Sequence, residues 1–279
     1  MKRIFSAFLA FIIALSLVSC TSRETPQTSS EASDDGTYIY PVKDTSMSVG
    51  TAGKLEGRCL AASVFISRDG AGWTGECIKH TLDKLEDAAA FLEKEAALYG
   101  VNLDIVTDTY QTAGIFAYGL DDTSLRNFAW TNAVFDPSVQ GGIDGYVNGK
   151  YDTESFDSYL VVFHVIADER SYAVDCDTAY SDCKDYETER CVVFHTHDED
   201  YEYADTPYTY AHELLHLFGA EDLYFPVITE ENEAAFKALF PNDMMCGGND
   251  IELLSVSPYT AWRIGWIDGL EKDYDFLID

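Results

Sequence analysis

Two histidines four residues apart, His212 and His216, with Glu213 directly after the first, have the clearest capacity for chemistry in this chain. On a helix that spacing puts both imidazoles on one face, close enough to hold one zinc ion. Glu213 then stands beside the metal, with a side chain long enough to take a proton from water activated there. Leu214, Leu215, Leu217 and Phe218 are apolar, which suits a helix packed on a core rather than a solvated one. Gly219 permits the positive φ at which a helix stops and the chain turns back. Asp222 follows His212 at the position where the pattern HExxHxxGxxH places its last ligand, and a carboxylate can bind zinc through oxygen. Glu221 is the nearest alternative ligand.

These residues need a helix from about Pro207, with Asp205 or Thr206 as N-cap and proline in the first turn, ending at Gly219. A longer helix is expected over His80–Tyr99, where Leu82, Leu85, Ala89, Leu92 and Ala96 recur at helical spacing and Gly100 caps the end. Strands are expected at Cys59–Ser67, Val101–Asp108, Tyr159–Ala167 and Cys191–His195. Asp168–Arg190, polar and tyrosine-rich, reads as an excursion from the sheet. A late helix opens at Ser257-Pro258 and carries Trp262 and Ile264. Strands and helices mix without strict alternation, which predicts an α+β fold.

The stretch from His212 to Tyr224 resembles the metzincin zinc peptidases, most closely members with Asp as third ligand. Snapalysin-like proteases and the immune inhibitor A family are similar over Gly219-Ala220-Glu221-Asp222-Leu223-Tyr224. Asn242–Gly247 is similar to the methionine turn beneath the metal of such enzymes, with Met245 in register. Ser257-Pro258-Tyr259 and Trp262–Trp266 are similar to the C-terminal helix region of the immune inhibitor A type. The resemblance covers residues 207–268; the earlier half matches only in element order, and Asp222 departs from the His of the main branches. It implies a twisted mixed sheet with a backing helix and an active-site helix. It also implies a smaller C-terminal subdomain, divided off near residue 219, that carries the methionine turn and a last helix. It implies zinc held by His212, His216 and Asp222, with Glu213 as general base and acid in hydrolysis of a peptide bond. The rival is a gluzincin, whose third ligand would come from Glu230, Glu231 or Glu233; their distance from His216 is short for that family, and Gly219 would have no role.

The chain of 279 residues has 49 Asp and Glu against 18 Lys and Arg, a net charge of -31. A surface that acidic repels phosphate backbones, so nucleic-acid partners are excluded and a protein or peptide substrate is expected. With 47% hydrophobic and 14% aromatic residues the chain can bury a core. Met1-Lys2-Arg3, an apolar run from Ile4 to Val18, and Cys20 after Leu17-Val18-Ser19 resemble a bacterial lipoprotein signal, in which the cysteine is lipidated. Residues 1–19 are then a signal peptide, 20–36 the lipidated Cys20 and a flexible tether, and 37–279 one domain. The protein is expected outside the cytoplasm and on a membrane only through its lipid. Cys59, Cys77, Cys176, Cys183, Cys191 and Cys246 allow up to three disulfides, with one short-loop bridge expected among Cys176, Cys183 and Cys191.

Other polar residues draw weaker readings. His195 and His197 are expected as polar residues of an edge strand, a second metal site or an oxyanion donor being the alternative, and His164 as a satisfied core histidine. His80 draws no functional reading, and Asp198–Glu202 reads as a solvated acidic loop. Asp144 to Asp152 echoes a calcium loop but lacks the carboxylates of an EF-hand, leaving an irregular Ca2+ site as the remaining reading. Cys59 is expected to pack or form a disulfide rather than bind the metal as a latency thiolate. Two other functions stay open: a zinc hydrolase acting on something other than a polypeptide backbone, and a catalytically silent surface-binding lipoprotein.

Overall fold

The structure, a computed structural model, describes residues 31–32, 38–41, 50–68, 72–125, 128–174, 188–195, 206–248 and 250–270. Strands β1 (Glu31–Ala32), β2 (Tyr38–Pro41) and β3 (Gly57–Ser67) lead to helix α1 (Gly75–Leu98). Next come β4 (Leu103–Thr107), β5 (Gly114–Ala117), α2 (Ala129–Ala133), α3 (Gly142–Lys150), β6 (Ser158–Ile166), β7 (Tyr172–Val174) and β8 (Glu189–His195). Helices α4 (Pro207–Leu217), α5 (Glu230–Leu239) and α6 (Pro258–Arg263) precede β9 (Gly269–Leu270).

The main sheet runs β4-β3-β6-β8-β7, and β5 pairs with β3 beyond β4. All pairs are parallel except β7 with β8, so the sheet is mixed and open. This is compatible with the expected α+β class. Both faces are covered, which is why β3 and β6 read as nearly unbroken apolar runs. On β3, Leu60, Ala62, Val64 and Ile66 pack with Trp130, Ile143 and Val147 of α2 and α3. The alternate residues Cys59 and Ala61 pack with Leu85, Leu92 and Leu214 of α1 and α4.

That second core continues through Phe236, Met245, Tyr259, Ile264 and Trp266, so the region after residue 219 shares its apolar interior with α1 and α4. Leu55 N–H donates to the Ile264 carbonyl at 3.0 Å, and Trp266 Nε1 donates to the Leu55 carbonyl at 2.6 Å. A small sheet β1-β2-β9 joins residues 31–41 to Gly269–Leu270. Glu31–Ala32, inside the expected tether, pairs there with Tyr38 and Ile39.

Several expectations are corrected. Helix α1 begins at Gly75 rather than His80, because Thr74 Oγ1 accepts from Cys77 N–H at 3.2 Å and closes the first turn earlier. Asp168–Arg190 does not leave the sheet throughout: Tyr172–Val174 pairs with Arg190–Val192 and is the last strand on that side among the described residues. As a result β8 is interior, and His195 is buried on the α4 side rather than on an edge. Asp144 lies in α3, accepting from Thr188 Oγ1 at 2.6 Å, so the calcium-loop geometry is absent over this segment. Cys59, Cys191 and Cys246 are buried free thiols, which removes them from the expected disulfides; burial pushes Cys59 and Cys246 each up to about 12. Cys20, Cys176, Cys183, His197, Asp205 and Asp198–Glu202 lie outside the described residues. No described helix is long and apolar enough to cross a membrane.

Candidate metal centre

Helix α4 is buried nearly all round, with Tyr210, Ala211, Leu214, Leu215 and Leu217 in the core. Burying each large apolar side chain contributes about 1.5–3 kcal/mol, which fixes the helix against the sheet and α1. Thr206 is its N-cap by backbone conformation, without a side-chain cap bond, and Pro207 opens the first turn. The helix ends as its sequence requires. Gly219 has φ +97°, its N–H donates to the His216 carbonyl at 2.9 Å, and Ala220 N–H donates to the Leu215 carbonyl at 3.1 Å. This is a Schellman turn.

The turn brings Asp222 back onto the two histidines. His212 Nε2 and His216 Nε2 lie 3.1 Å apart, and Asp222 Oδ1 is 3.0 Å from the first and 3.2 Å from the second. Ligand atoms about 2.0–2.1 Å from a tetrahedral zinc stand about 3.3 Å apart, so the triangle has the size such an ion needs. Among the described residues, this is the cluster of His, Cys, Asp and Glu able to hold a metal ion.

Hydrogen bonds around the triangle select the tautomer it needs. His216 Nδ1 is 2.8 Å from the Ala220 carbonyl, which can only accept, so the proton sits on Nδ1 and Nε2 presents its lone pair. Tyr208, one turn before His212, has its hydroxyl 3.4 Å from His212 Nδ1. Asp222 Oδ2 faces Arg170 Nη2 at 3.4 Å, while Asp222 Oδ1 is buried and accepts no hydrogen bond. An orphaned carboxylate oxygen between two imidazole lone pairs is complemented by a cation, and the two-nitrogen, one-oxygen donor set fits zinc.

Glu213 is 6% exposed, and its Oε2 also lacks a hydrogen-bond partner. Burial raises the Glu213 carboxyl above its ordinary value, with His212 and His216 pulling the other way. Burial likewise opposes charge on Asp222, but the two imidazoles outweigh it and hold that carboxyl well below the usual range. The Tyr208 hydroxyl is pushed up to about 12, first by burial and then by the charges of Asp222 and Glu213.

Two rival carboxylates, Glu221 and Glu233, are engaged elsewhere. Glu221 Oε1 meets Arg263 Nη2 at 2.7 Å and its Oε2 faces the Tyr259 hydroxyl at 3.4 Å. Glu233 accepts from Phe225 N–H at 2.9 Å and from Lys237 Nζ at 2.6 Å. Met245 sits fully buried in a short 3-10 turn, Met244–Cys246, and its carbonyl accepts from Leu223 N–H at 2.8 Å. The residue after Asp222 is thus tied to the turn that carries Met245.

The chain matches no known protein-family model, and no curated protein matches it. Its chemistry is therefore carried by the residues themselves. His212, Glu213, His216 and Asp222 come together as their spacing predicts. His164 and His195 do not join them: both lie under α4, with the Tyr210 hydroxyl 3.3 Å from His164 Nδ1 and 3.4 Å from His195 Nε2. His164 is buried as expected, though its Nε2 has no hydrogen-bond partner. Sequence reasoning missed Arg170, Tyr208 and Arg263. Tyr208 was within reach, since it precedes His212 by one helical turn; Arg170 lies 52 residues from Asp222 and carries no local signal.

Proposed function

We propose that this chain is a zinc-dependent endopeptidase, exported and held at the cell surface by lipid on Cys20. The observation that carries the reading is the triangle of His212 Nε2, His216 Nε2 and Asp222 Oδ1, with the buried Glu213 next in sequence to His212 and its Oε2 without a hydrogen-bond partner. Zinc, when bound, supplies Lewis acidity toward a water and toward the scissile carbonyl. The rest is done by the chain. Glu213 takes the proton as water attacks the carbonyl carbon, then gives it to the nitrogen as the C–N bond breaks. Its raised carboxyl pKa suits a group that must hold a proton between those two moments.

The sequence resemblance around Asn242–Gly247 and Ser257–Trp266 supports the peptidase reading, and the residues before Cys20 support lipid anchoring.

The test is cleavage of an unbiased peptide mixture by the detergent-solubilised full chain, with products read by mass spectrometry. Cuts should appear with zinc and vanish with a chelator, and Glu213→Gln should lower the rate about 10²–10⁴-fold while zinc stays bound. A folded, zinc-loaded wild type that cuts nothing refutes the peptidase reading and leaves a non-peptide hydrolase or a silent binder. Incorporation of labelled palmitate that persists in Cys20→Ala refutes the anchor.

A further inference from the structure

We propose that Arg170 selects substrates carrying a carboxylate within one residue of the bond to be cut; this rests on the peptidase reading above. Arg170 stands between β6 and β7, two residues before β7 begins, and its side chain is 62% exposed. A guanidinium offers five N–H donors in a planar fork. Among the described residues only Nη2 is used, at 3.4 Å from Asp222 Oδ2, which is the outer limit of a hydrogen bond. The ring of Tyr224 lies 5.5 Å from the guanidinium carbon and gives it a flat support. An arginine that served only to orient Asp222 would be buried and bidentate; this one is exposed and meets Asp222 through a single nitrogen.

Position fixes what it can reach. Asp222 Oδ1 belongs to the metal triangle and Oδ2 to Arg170, so the guanidinium lies within about 8 Å of the metal position. One extended residue spans about 3.3–3.6 Å, which places the fork opposite the residues flanking the scissile bond. The nearby Arg263 cannot share this task, because its Nε and Nη2 are committed to the Gly219 carbonyl and to Glu221. Charge sharpens the argument. A chain of net charge -31 repels acidic peptides at distance, so a carboxylate is accepted only where a local cation faces it. Two sources share this chemistry: an Asp or Glu side chain, and a free C-terminal carboxylate.

Binding is measured first, by fluorescence anisotropy on the zinc-loaded full chain carrying Glu213→Ala, so that turnover does not enter. The probes are one peptide with Gln, Glu or Lys at a flanking position, and the Gln peptide truncated there as C-terminal acid or amide. The acid-bearing probe should bind about tenfold or more tighter than its neutral twin. Arg170→Gln should remove that preference, and Arg170→Glu should transfer it to the Lys peptide. Preference for Glu over Gln identifies a side-chain carboxylate, and preference for acid over amide identifies a chain end. Equal binding of acidic and neutral probes by the Arg170-intact protein overturns the proposal, as does a preference that survives Arg170→Gln. So does a uniform loss for all probes together with weaker zinc binding, since Arg170 would then act only through Asp222. The cleavage assay on wild type stands apart: no cuts with intact carboxylate preference sinks the peptidase reading alone, and cuts without preference sink this one alone.

Discussion

If the end of α4 builds the ligand set, Gly219→Ala should damage metal binding by more than its backbone strain alone. Gly219 has φ +97°, and the Ala220 carbonyl that follows holds His216 Nδ1 at 2.8 Å. Alanine at positive φ costs of order 1–3 kcal/mol, relieved in part by rotating the turn. Gly100 provides the control. It ends α1 at φ +74°, with its N–H 3.1 Å from the Ala97 carbonyl and Val101 N–H 3.0 Å from the Ala96 carbonyl, and a Cβ there meets nothing within 4 Å. Gly100→Ala therefore reports the strain without the metal centre. With about 1–2 kcal/mol in each case, both variants should lose about 2–8 °C in the midpoint of metal-free thermal unfolding. Only Gly219→Ala should also weaken zinc binding, by about 10–100-fold, because a ligand histidine loses the partner that fixes its tautomer. Zinc affinity is read by competition with a chromophoric chelator at fixed pH. Equal zinc affinity in the two variants, alongside matching losses of stability, would refute the role assigned to the Ala220 carbonyl.

Three further outcomes are expected. Asp222→Ala should abolish stoichiometric zinc uptake by equilibrium dialysis while Glu221→Ala retains it, because Glu221 is held by Arg263; the reverse result excludes Asp222 as ligand. In the metal-free protein burial opposes charge on His216, but Asp222 prevails and raises its pKa above the unfolded value. That stabilisation is full below about pH 6.5 and is lost as pH rises through the folded value, with a slope approaching about 1.4 kcal/mol per pH unit. Urea unfolding of the chelated chain should show the slope and His216→Asn should flatten it; an unchanged slope in that variant removes His216 as its source. Cys59 and Cys246, buried and each pushed up to about 12, should resist iodoacetamide at pH 8 for hours in the folded protein. Labelling of either within minutes shows that its thiol is exposed.

What could be read from the sequence was local. His212, Glu213 and His216 are fixed by one helical turn, and Leu214, Leu215 and Leu217 mark that helix as buried. Strands β3, β6 and β8 announce themselves because a strand covered on both faces must be apolar throughout. Asp222 was legible through spacing, since Gly219 can only end the helix there. What escaped was pairing across long separations. Tyr172–Val174 is only three residues long and stands in a polar stretch, too short to advertise a strand, so both its pairing with β8 and the interior place of His195 went unseen. Arg170 reaches Asp222 across 52 residues of chain, and Thr74 starts α1 through a cap that the apolar periodicity, read from Leu82, does not include.

A helix with two histidines is not yet a metal centre, because the third ligand lies on a turn that could point anywhere. Here the turn is held from three sides. The helix end binds Ala220 N–H, Met245 O accepts from Leu223 N–H, and Arg263 Nε donates to the Gly219 carbonyl at 2.9 Å. The last two supports are themselves joined by Asp243, a fully buried carboxylate. It accepts from Met245 N–H at 2.7 Å on one side, and from Ser257 N–H at 2.8 Å and Thr260 Oγ1 at 2.9 Å at the start of α6 on the other. A buried carboxylate is tolerated only when its oxygens are satisfied, and these three donors lie on two separate segments. Asp243 thereby couples the turn carrying Met245 to the helix carrying Arg263. The position of Asp222 against the histidines is set by the segment from Asp243 to Arg263 as much as by the helix that bears them.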